Sequence, residues 1–575
     1  MFSSIRRSLS PYHLSTFSSF TVKQNIRFAH HIPLRSSIMQ IERSKAIGPK
    51  NKKQKSAKAI ERQNKFNGFD EVLQPDINQL LQVNKKSKDT AHNDETDDAA
   101  STTSTPAALP DRFTEIELTI STLSSTGDGL ALSENADHVY VVPFTVPGDK
   151  VLAKVAKHFL PLSYTVTDLV KVIEPGELRD DSSIRCGYFA QCSGCQLQMM
   201  RYEDQLKHKK RIVEKAYANF SGLVPELIPA VKETFPSPKQ HGYRTKLTPH
   251  FQAPKKKGQE ASKEVPPIGY TFKNRRLEMD IEDCPIGTDI VRQGLKTQRK
   301  FVRDNIDKYP KGATLLLRES TTRIPRGQDE TVPDSSKSQS EPSAAAVDSG
   351  NVLRIERDNY IEEKRCVTDH NATSHEYVDD YFLSSKAGDF FQNNNSILPG
   401  VTEYIRQNAI PKDNEQNSTP IKYLLDAYSG SGLFTITLSP LFKSSLGVDT
   451  SSHGISFARQ NARANKLYNT GFAAADAALL FQGVPYPPDE TLLVIDPPRK
   501  GCSENFLQQL FSFAPRRIVY VSCNVHTQAR DVGVLVQGDS ASKVRYDIES
   551  IRGFDFFPQT GHVEGVAILE KAPVQ

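Results

Sequence analysis

The sequence lacks several features that would assign the chain to other classes of protein. It has no run of 18 consecutive apolar residues, so no transmembrane helix is expected. Seven cysteines in 575 residues do not suit a secreted disulfide scaffold; they favour a reducing compartment and a use in metal binding or catalysis. A hydrophobic content of 37% is low for a wholly globular chain, so part of the length is expected to be disordered. The net charge of +5 does not by itself indicate a nucleic-acid partner.

Acidic residues are absent from residues 1–41, which contain five Lys or Arg and many Ser. This composition is typical of a mitochondrial transit peptide, with an ordinary basic tail as the alternative. A start at Met39 would remove the segment and leave the basic stretch KNKKQKSAK, from Lys50, near the new terminus as a nuclear or RNA-binding patch. We therefore expect a mitochondrial protein, with a nuclear or cytoplasmic product if translation begins at Met39.

Composition divides the rest of the chain into four parts, which together predict a multidomain α/β protein. Residues 42–111 are polar and charged and predict a disordered linker. Residues 112–174 alternate apolar and polar residues between Gly-Asp-Gly and Pro-Gly-Asp turns, which predicts a small five-stranded barrel of OB type that binds oligonucleotides. Residues 175–386 predict a central α+β domain with a cysteine cluster and a disordered insertion near 322–350. Residues 387–575 repeat strand, turn and helix, which predicts a Rossmann-like, doubly wound domain.

A glycine-rich turn follows the first strand of that last domain. In YLLDAYSGSGLFTITLS (423–439), Gly430 and Gly432 allow a ligand to approach the backbone at a helix N-terminus. Asp449, at the end of the next strand, is placed to accept hydrogen bonds from ribose hydroxyls of an NAD-type or S-adenosylmethionine ligand. Asp476 is placed as an adenine-edge contact. The alternative role for both acids is a helix cap or a turn.

Two later strands end on groups that have little reason to be there for folding alone. LLVIDPPRKG (492–501) closes on Asp496, which the two prolines hold in a stiff loop. IVYVSCNVHT (518–527) closes on Cys523, flanked by small polar residues. A packed, inert cysteine is one interpretation. The other is a nucleophile presented at the carboxyl end of an α/β sheet.

Four motifs then occur in order along the chain: GSG at 430–432, DPPRKG at 496–501, YVSCN at 520–524 and FFPQTGHVEG at 556–565. Together they resemble the family of S-adenosylmethionine-dependent RNA uracil-C5 methyltransferases. Residues 114–174 resemble the family's TRAM domain, an OB-like RNA-binding module. The presequence and insertions are most similar to the fungal tRNA branch of the family, whose target is the T-loop uridine at position 54.

The chemistry of uracil methylation agrees with these residues. C5 of uracil cannot attack a sulfonium methyl unaided, but a thiolate that adds to C6 makes C5 nucleophilic. A base must then remove the C5 proton so that elimination frees the enzyme. Cys523 fits the first role, and the resemblance assigns the second to Glu564, with His562 as a candidate relay.

The resemblance also implies contacts with the methyl donor, S-adenosylmethionine, from Gln392, Tyr428, Asp449 and Asp496. Gln392 lies in GDFFQNN (388–394), which resembles the segment that opens the family's catalytic domain. For Asp496, an alternative role is to accept a hydrogen bond from uracil N3–H, which would reject cytosine.

Four cysteines have a spacing that allows a Cys₄ site. Cys186, Cys192 and Cys195 form C-x5-C-x2-C, and Cys284 is the distant fourth. The set suits a 4Fe–4S cluster or zinc and resembles the family's iron–sulfur cysteines. Reduced structural thiols are the alternative.

RNA contacts are expected from the barrel, from the basic helix at 208–215 and from the mixed basic and aromatic stretches at 243–246 and 272–276. The target base must leave its stack to reach Cys523, so base flipping is implied. The sequence therefore predicts a tRNA uracil-C5 methyltransferase with no membrane contact and no obligate protein partner. The alternatives are rRNA uridine methylation and a non-catalytic tRNA-binding or folding factor; a nicotinamide dehydrogenase is disfavoured by the TRAM-like barrel and by YVSCN.

Overall fold

The structure is a computed structural model. It describes residues 68–91, 109–253, 265–326, 352–411, 420–475 and 483–573, together with residues 256–257, 260–261 and 481. Within these ranges, no helix has the length and apolarity needed to cross a membrane. The predicted transit segment at 1–41 lies outside the described residues.

The described residues of the N-terminal part form one helix and six strands. Their bounds are α1 Gly68–Ala91, β1 Glu115–Thr119, β2 Thr122–Leu123, β3 Gly129–Leu132, β4 Val139–Val142, β5 Lys150–Phe159 and β6 Tyr164–Glu174, with a 3-10 turn at Leu160–Leu162. The strands form one sheet of order β1-β5-β6-β4-β3-β2, in which β4 and β6 run parallel. Because only Ile120 and Ser121 separate β1 from β2, the two edges of the sheet belong to one continuous stretch of chain and the sheet closes on itself.

The prediction of a disordered linker at 42–111 is wrong over Gly68–Ala91, which form helix α1. Leu73 and Ile77 are fully buried against the barrel residues Leu130 and Val139. Leu73 and Ile77 are four residues apart, so they lie on one face of the helix. The polar residues around them lower the average hydrophobicity of the segment and hide this short apolar stripe. Residues 42–67 and 92–108 lie outside the described part of the chain.

The central part contains two helices and thirteen strands among the described residues. Their bounds are α2 Tyr202–Phe220, β7 Lys232–Phe235, β8 Lys246–Leu247, β9 His250–Gln252, β10 Lys256–Lys257, β11 Glu260–Ala261, β12 Gly269–Thr271, β13 Glu278–Asp280, α3 Asp289–Asp304, β14 Gly312–Thr314, β15 Leu317–Pro325, β16 Val352–Glu356, β17 Tyr360–Val367, β18 Thr373–Val378 and β19 Tyr381–Lys386. Two four-stranded sheets, β13-β12-β9-β14 and β16-β17-β15-β8, pack around α3. The insertion predicted near 322–350 is wrong at its start, because β15 continues to Pro325; residues 327–351 lie outside the described residues.

The C-terminal part is the predicted doubly wound domain. Its elements are α4 Leu398–Ala409, β20 Tyr423–Ala427, α5 Leu433–Leu438, β21 Ser444–Asp449, α6 Ser452–Ala464, β22 Thr470–Ala474, β23 Thr491–Ile495, α7 Glu504–Phe513, β24 Arg517–Ser522, α8 Val525–Gln537, β25 Tyr546–Phe554 and β26 Glu564–Lys571. The sheet order is β22-β21-β20-β23-β24-β26-β25-β7. Strands β20 to β24 are parallel, and the order reverses between β20 and β23, the position at which such sheets bind ligands.

The predicted boundary between residues 386 and 387 does not separate the catalytic sheet from what precedes it. Strand β7 pairs with β25 and completes this sheet. Helix α2 packs on α8, and the two helices share one hydrophobic core that includes Ile212 and Val532. The basic helix expected at 208–215 is therefore largely a structural element, and its Lys209 is fully buried.

The stretches at 243–246 and 272–276, expected to contact RNA, are partly engaged within the protein. Lys273 pairs with Asp128 of the barrel at 2.7 Å. Arg275 pairs with the barrel residue Asp168 at 3.2 Å. The Tyr243 side chain is buried and donates a hydrogen bond to the Pro558 carbonyl at 3.1 Å. These contacts tie the central part to the barrel and to the catalytic part.

Candidate active site

The predicted site residues lie at one edge of the catalytic sheet. Gly430 follows β20, Asp449 ends β21, Asp496 follows β23 and Cys523 follows β24. These four strands are parallel and adjacent, so their carboxyl ends meet at the same edge. The polar groups that the sequence places at the ends of these strands therefore lie together at one edge of the sheet.

Cys523 and Glu564 are neighbours across two paired strands. Strand β26 runs antiparallel to β24, with Ser522 opposite Gly565, so the next residues along, Cys523 and Glu564, also face each other. Both line a cavity of about 420 Å³. Glu564 is 2% exposed, and its Oε2 has no hydrogen-bond partner among the described residues. A buried carboxyl oxygen without a partner is available to a substrate in this cavity.

Both groups favour their protonated forms. Burial raises the pKa of Cys523 to about 11, and the carboxylates of Glu564 and Asp496 add to this, while Arg499 opposes it. Burial also raises the pKa of Glu564 well above its usual value, with Asp496 adding and Arg499 opposing. The Arg499 guanidinium is therefore the cation that favours ionisation of both groups.

The loop that carries Arg499 is held by the first turns of α8. Asn524 Nδ2 and Thr527 Oγ1 donate hydrogen bonds to the Arg499 carbonyl at 3.0 and 3.1 Å. Arg530 donates to the Lys500 carbonyl at 2.9 Å. Asn524 also caps α8 by accepting from the His526 amide at 3.2 Å. No sequence pattern indicated that Arg499 lies beside the candidate nucleophile.

Two aspartates, Asp426 within β20 and Asp496 directly after β23, have raised pKa values. Burial, and after it Asp426, raises the pKa of Asp496 to about 7. Asp426, in β20, is fully buried and accepts hydrogen bonds at 2.8 and 2.6 Å from the amide and hydroxyl of Thr435. Burial raises its pKa to about 7 as well. Sequence reasoning missed Asp426, although an acid within the apolar run YLLDA was a usable signal.

The glycine turn has room for a ligand. A Cβ on Gly430 would meet nothing within 4 Å, and its φ of +54° favours glycine. Gly432 caps α5 with a φ of +96°. Asp449 accepts from the Gly430 amide at 2.9 Å and from the Ser451 amide at 2.7 Å. Asp449 therefore shapes this turn, and each carboxylate oxygen keeps a lone pair for a further donor.

The other residues predicted to contact the methyl donor lie in different places. Gln392 is buried and lines the 420 Å³ cavity with Cys523. Tyr428 has a φ of +64° and packs against Phe506, with ring centroids 5.5 Å apart. Asp476 lies outside the described residues.

Cys186, Cys192, Cys195 and Cys284 are free thiols that line the same 420 Å³ cavity. Burial raises the pKa of Cys195 and of Cys284 to about 12, and nearby thiols add to each shift. Within the described ranges, however, no group of three or more His, Cys, Asp or Glu side chains is arranged to hold a metal ion. The geometry thus does not fit the predicted metal or iron–sulfur site, and we assign these cysteines no cofactor.

Cys523 also lines a second cavity, of about 570 Å³. Arg499, Cys523 and His562 line both cavities. The second is also lined by Ser125 of the barrel and Val72 of α1. The candidate nucleophile therefore lies where the catalytic domain, the barrel and the N-terminal helix meet.

Comparison with known proteins gives consistent results. The family profile described as tRNA (Uracil-5-)-methyltransferase matches residues 489–572, which include Asp496, Cys523 and Glu564. A tRNA (uracil(54)-C(5))-methyltransferase of Schizosaccharomyces pombe is 43% identical over 463 residues, covering 80% of this chain and 79% of the relative. A protein with the same description from Saccharomyces cerevisiae is 40% identical over 527 residues, covering 87% and 81%.

Among solved structures, a Pyrococcus abyssi tRNA (uracil-54, C5)-methyltransferase in complex with S-adenosyl-L-homocysteine is similar with a TM-score of 0.52 and 23% identity, over 79% of this chain and all of that one. This likeness supports the fold alone, a multidomain α/β methyltransferase architecture. The extent and identity of the fungal matches go further. The chain belongs to the tRNA (uracil-5-)-methyltransferase family.

Proposed function

We propose that this chain transfers a methyl group from S-adenosylmethionine to C5 of uridine 54 in the T-loop of tRNA. The family and the activity printed for its fungal relatives support this reaction. The observation that carries the proposal is the pairing of Cys523 with Glu564 across β24 and β26 in one cavity. A thiol and a base that face one ring are the two groups that the reaction requires.

The reaction begins when the Cys523 thiol gives its proton to water and the sulfur bonds to C6 of uracil. The electrons of the C5–C6 double bond move toward O4, and C5 becomes nucleophilic. S-adenosylmethionine, when bound, supplies the methyl group that C5 takes. The Glu564 carboxylate then removes the C5 proton, the C6–S bond breaks, and the C5–C6 double bond re-forms as the thiolate leaves.

Both groups must ionise before they act, because burial holds each in its neutral form. We propose that Arg499 favours the thiolate of Cys523 and the carboxylate of Glu564. Asp496 is then placed either to contact the methyl donor or to accept from uracil N3–H. Its raised pKa makes the second role depend on deprotonation near neutral pH.

The proposed donor site is the glycine turn with its neighbours. Gly430 leaves open space next to the backbone, Gly432 ends the turn, and Asp449 keeps lone pairs for ribose hydroxyls. We also assign Tyr428 and Gln392 to this site, and Asp476 as an adenine contact. The assignment of Tyr428 rests on its position directly after β20 and that of Gln392 on its place in the cavity that Cys523 lines, both with the family resemblance, and that of Asp476 rests on the sequence alone.

We propose that the closed sheet of β1 to β6 is an OB-like TRAM domain that binds tRNA. Its strand path and its contribution to the 570 Å³ cavity beside Cys523 support this. On this division, residues 112–174 form the barrel, residues 175–386 form a central domain and residues 387–575 form the catalytic domain. The central domain contributes β7 and α2 to the layers of the catalytic domain.

The proposal is tested with labelled methyl donor and transcribed tRNA that carries uridine or cytidine at position 54. The wild-type protein is expected to methylate only the first, and Cys523→Ala to methylate neither. Glu564→Gln is expected to accumulate a covalent tRNA–protein complex on denaturing gels, because elimination fails. A tRNA that contains 5-fluorouracil is expected to trap the wild-type protein. Full activity of Cys523→Ala, or labelling of rRNA in place of tRNA, would contradict the proposal.

We further propose that residues 1–41 direct the chain to mitochondria and that a start at Met39 yields a nuclear or cytoplasmic form. The basic, acid-free composition supports this. Fluorescent fusions with and without residues 1–38 test it: identical distributions of the two fusions would count against the targeting role.

A further inference from the structure

Asp76, in helix α1, is a buried carboxylate that joins three parts of the molecule. It is 2% exposed. Its Oδ2 accepts a hydrogen bond from the Ser125 amide of the barrel at 2.6 Å, and its Oδ1 pairs with Lys215 Nζ of α2 at 2.8 Å. Both oxygens of Asp76 thus have a partner outside its own helix.

The barrel loop that Asp76 holds, residues 124–128, is otherwise well fixed. Ser124 Oγ donates to the Asp128 carbonyl at 2.8 Å, and the Asp128 side chain pairs with Lys273 at 2.7 Å. Ser125 and Thr126 of this loop line the 570 Å³ cavity beside Cys523. The loop is therefore part of the wall that faces the reacting groups.

The same loop lies directly against the segment that carries the candidate base. Gly127 has a φ of +85°, and a Cβ built on it would lie 3.3 Å from Gly561 Cα. A Cβ on Gly561 would lie 3.1 Å from Gly127 Cα. Both distances are shorter than an ordinary Cβ contact, so glycine at each position allows the two backbones to approach closely. Gly561 is three residues before Glu564, so the barrel loop supports the segment that leads to the Glu564 carboxyl group.

We propose that Asp76 is a positioning residue for methyl transfer: it holds barrel loop 124–128 against Gly561 and thereby fixes the segment that presents Glu564. This inference rests on the proposed function. A continuous series of contacts connects Asp76 to the candidate base. Asp76 binds the Ser125 amide, Gly127 of the same loop contacts Gly561, and Gly561 leads along the chain to Glu564.

Docking of α1 alone does not account for a carboxylate at this position. Leu73 and Ile77 bury the apolar face of the helix on the barrel, and Gln74 donates to the Leu162 carbonyl at 3.2 Å. A buried charge carries a desolvation penalty that apolar packing avoids. Asp76 thus links α1 to the barrel loop of the cavity wall through a charged group, whereas Gln74 is a polar contact of the same helix away from that wall.

The test compares Asp76→Ala, Asp76→Asn and the matched control Gln74→Ala in the full-length protein. Asp76→Ala is expected to lower kcat about tenfold, the effect of losing a hydrogen bond to a charged group. Because Glu564 is then misplaced, the covalent tRNA adduct is expected to accumulate during turnover. The dissociation constant for S-adenosylmethionine is expected to stay unchanged. Asp76→Asn keeps an acceptor for Ser125 and is expected to restore most of the activity; Gln74→Ala is expected to behave as wild type.

Three results would overturn the inference: an unchanged kcat in Asp76→Ala, an equal loss in Gln74→Ala, or a loss of donor binding in Asp76→Ala that parallels the loss of activity. The last two would mean that α1 has only a structural role. A wild-type protein that fails to methylate tRNA would instead contradict the proposed function, so the two failures are distinguishable.

Discussion

The guanidinium of Arg499 lies beside two groups that must lose protons before they can act. Burial keeps the Cys523 thiol and the Glu564 carboxyl neutral, and the Asp496 carboxylate reinforces both shifts. Arg499 opposes both, and Asn524 and Thr527 fix its backbone. At the residue scale, the reactivity of the site therefore depends on one cation held by the helix that follows the nucleophile.

This arrangement predicts how adduct formation depends on pH. The rate of adduct formation with 5-fluorouracil tRNA is expected to rise about tenfold per pH unit below the pKa of Cys523, because only the thiolate adds to C6. Arg499→Gln removes the cation and raises that pKa further, so the rate at each pH is expected to fall about tenfold. Single-turnover kinetics across neutral and alkaline pH measure both effects.

Lys500→Gln is the matched control for this prediction, because Lys500 is the adjacent exposed cation on the same loop. It is expected to weaken tRNA binding at most and to leave the pH profile unshifted. If the two variants shift the profile equally, the effect of Arg499 is a general one on RNA binding, and the assigned role is wrong.

Residues differ in how far the sequence could predict them. The abrupt end of an apolar strand marked Cys523 as either a packed thiol or a nucleophile, and the structure brings it to the expected sheet edge. Glu564 came only from the resemblance, because its position opposite Cys523 depends on the register of β26 against β24. Such pairing between distant segments is not visible in local patterns.

At the scale of elements, α2 shows why a run of basic residues is not enough to predict an RNA-binding surface. The sequence HKKRIVEK suggests a basic surface for RNA, yet Lys209 is fully buried. Its ammonium group pairs with Asp555 and donates to the Phe557 carbonyl at 2.9 Å. Asp555 and Phe557 belong to the segment that leads to Glu564, so this lysine anchors α2 to the catalytic loop.

Lys209→Met is therefore expected to destabilise the protein by about 3 kcal/mol or more, because it leaves the Asp555 carboxylate buried without its partner. Lys207→Met, on the same helix, is the control: its side chain is 66% exposed, and the expected loss is below about 1 kcal/mol. Denaturant unfolding of both variants measures the difference. Equal midpoints for the two would show that the buried pair has little net effect.

Elements with strong patterns were predicted well, and those with weak patterns were not. A strand that ends at Asp449 was predicted, and β21 spans Ser444–Asp449. Helix α1 was missed because the polar composition of residues 42–111 hides a usable signal, the helical spacing of Leu73, Ile77, Leu80 and Leu81, which pack on the barrel. A short amphipathic helix depends on its partner surface, which composition does not describe.

At the scale of the whole molecule, the parts that composition separates are joined by buried contacts. Strand β7, from residues 232–235, completes the catalytic sheet, and α2 covers the outer face of α8. Lys273 and Lys215 connect the barrel loop and α1 to these layers. The active site is consequently built from segments that are more than 400 residues apart in the chain, from Val72 to Glu564.

This interdependence predicts that a fragment of residues 387–575, cut at the boundary that the sequence indicated, will not behave as an independent domain. Its loss of β7 and α2 exposes Ala529 and Val532 of α8 and the edge of β25, and an apolar face next to an unpaired strand edge favours association. We expect oligomers in size-exclusion chromatography with light scattering, and weak binding of S-adenosylmethionine in calorimetric titration. A fragment of residues 201–575 keeps both elements and is expected to remain monomeric and to bind the donor. A monomeric 387–575 fragment with the donor affinity of the full chain would mean that the compositional boundary is also a folding boundary, and that the layers contributed by the central part are dispensable for the donor site.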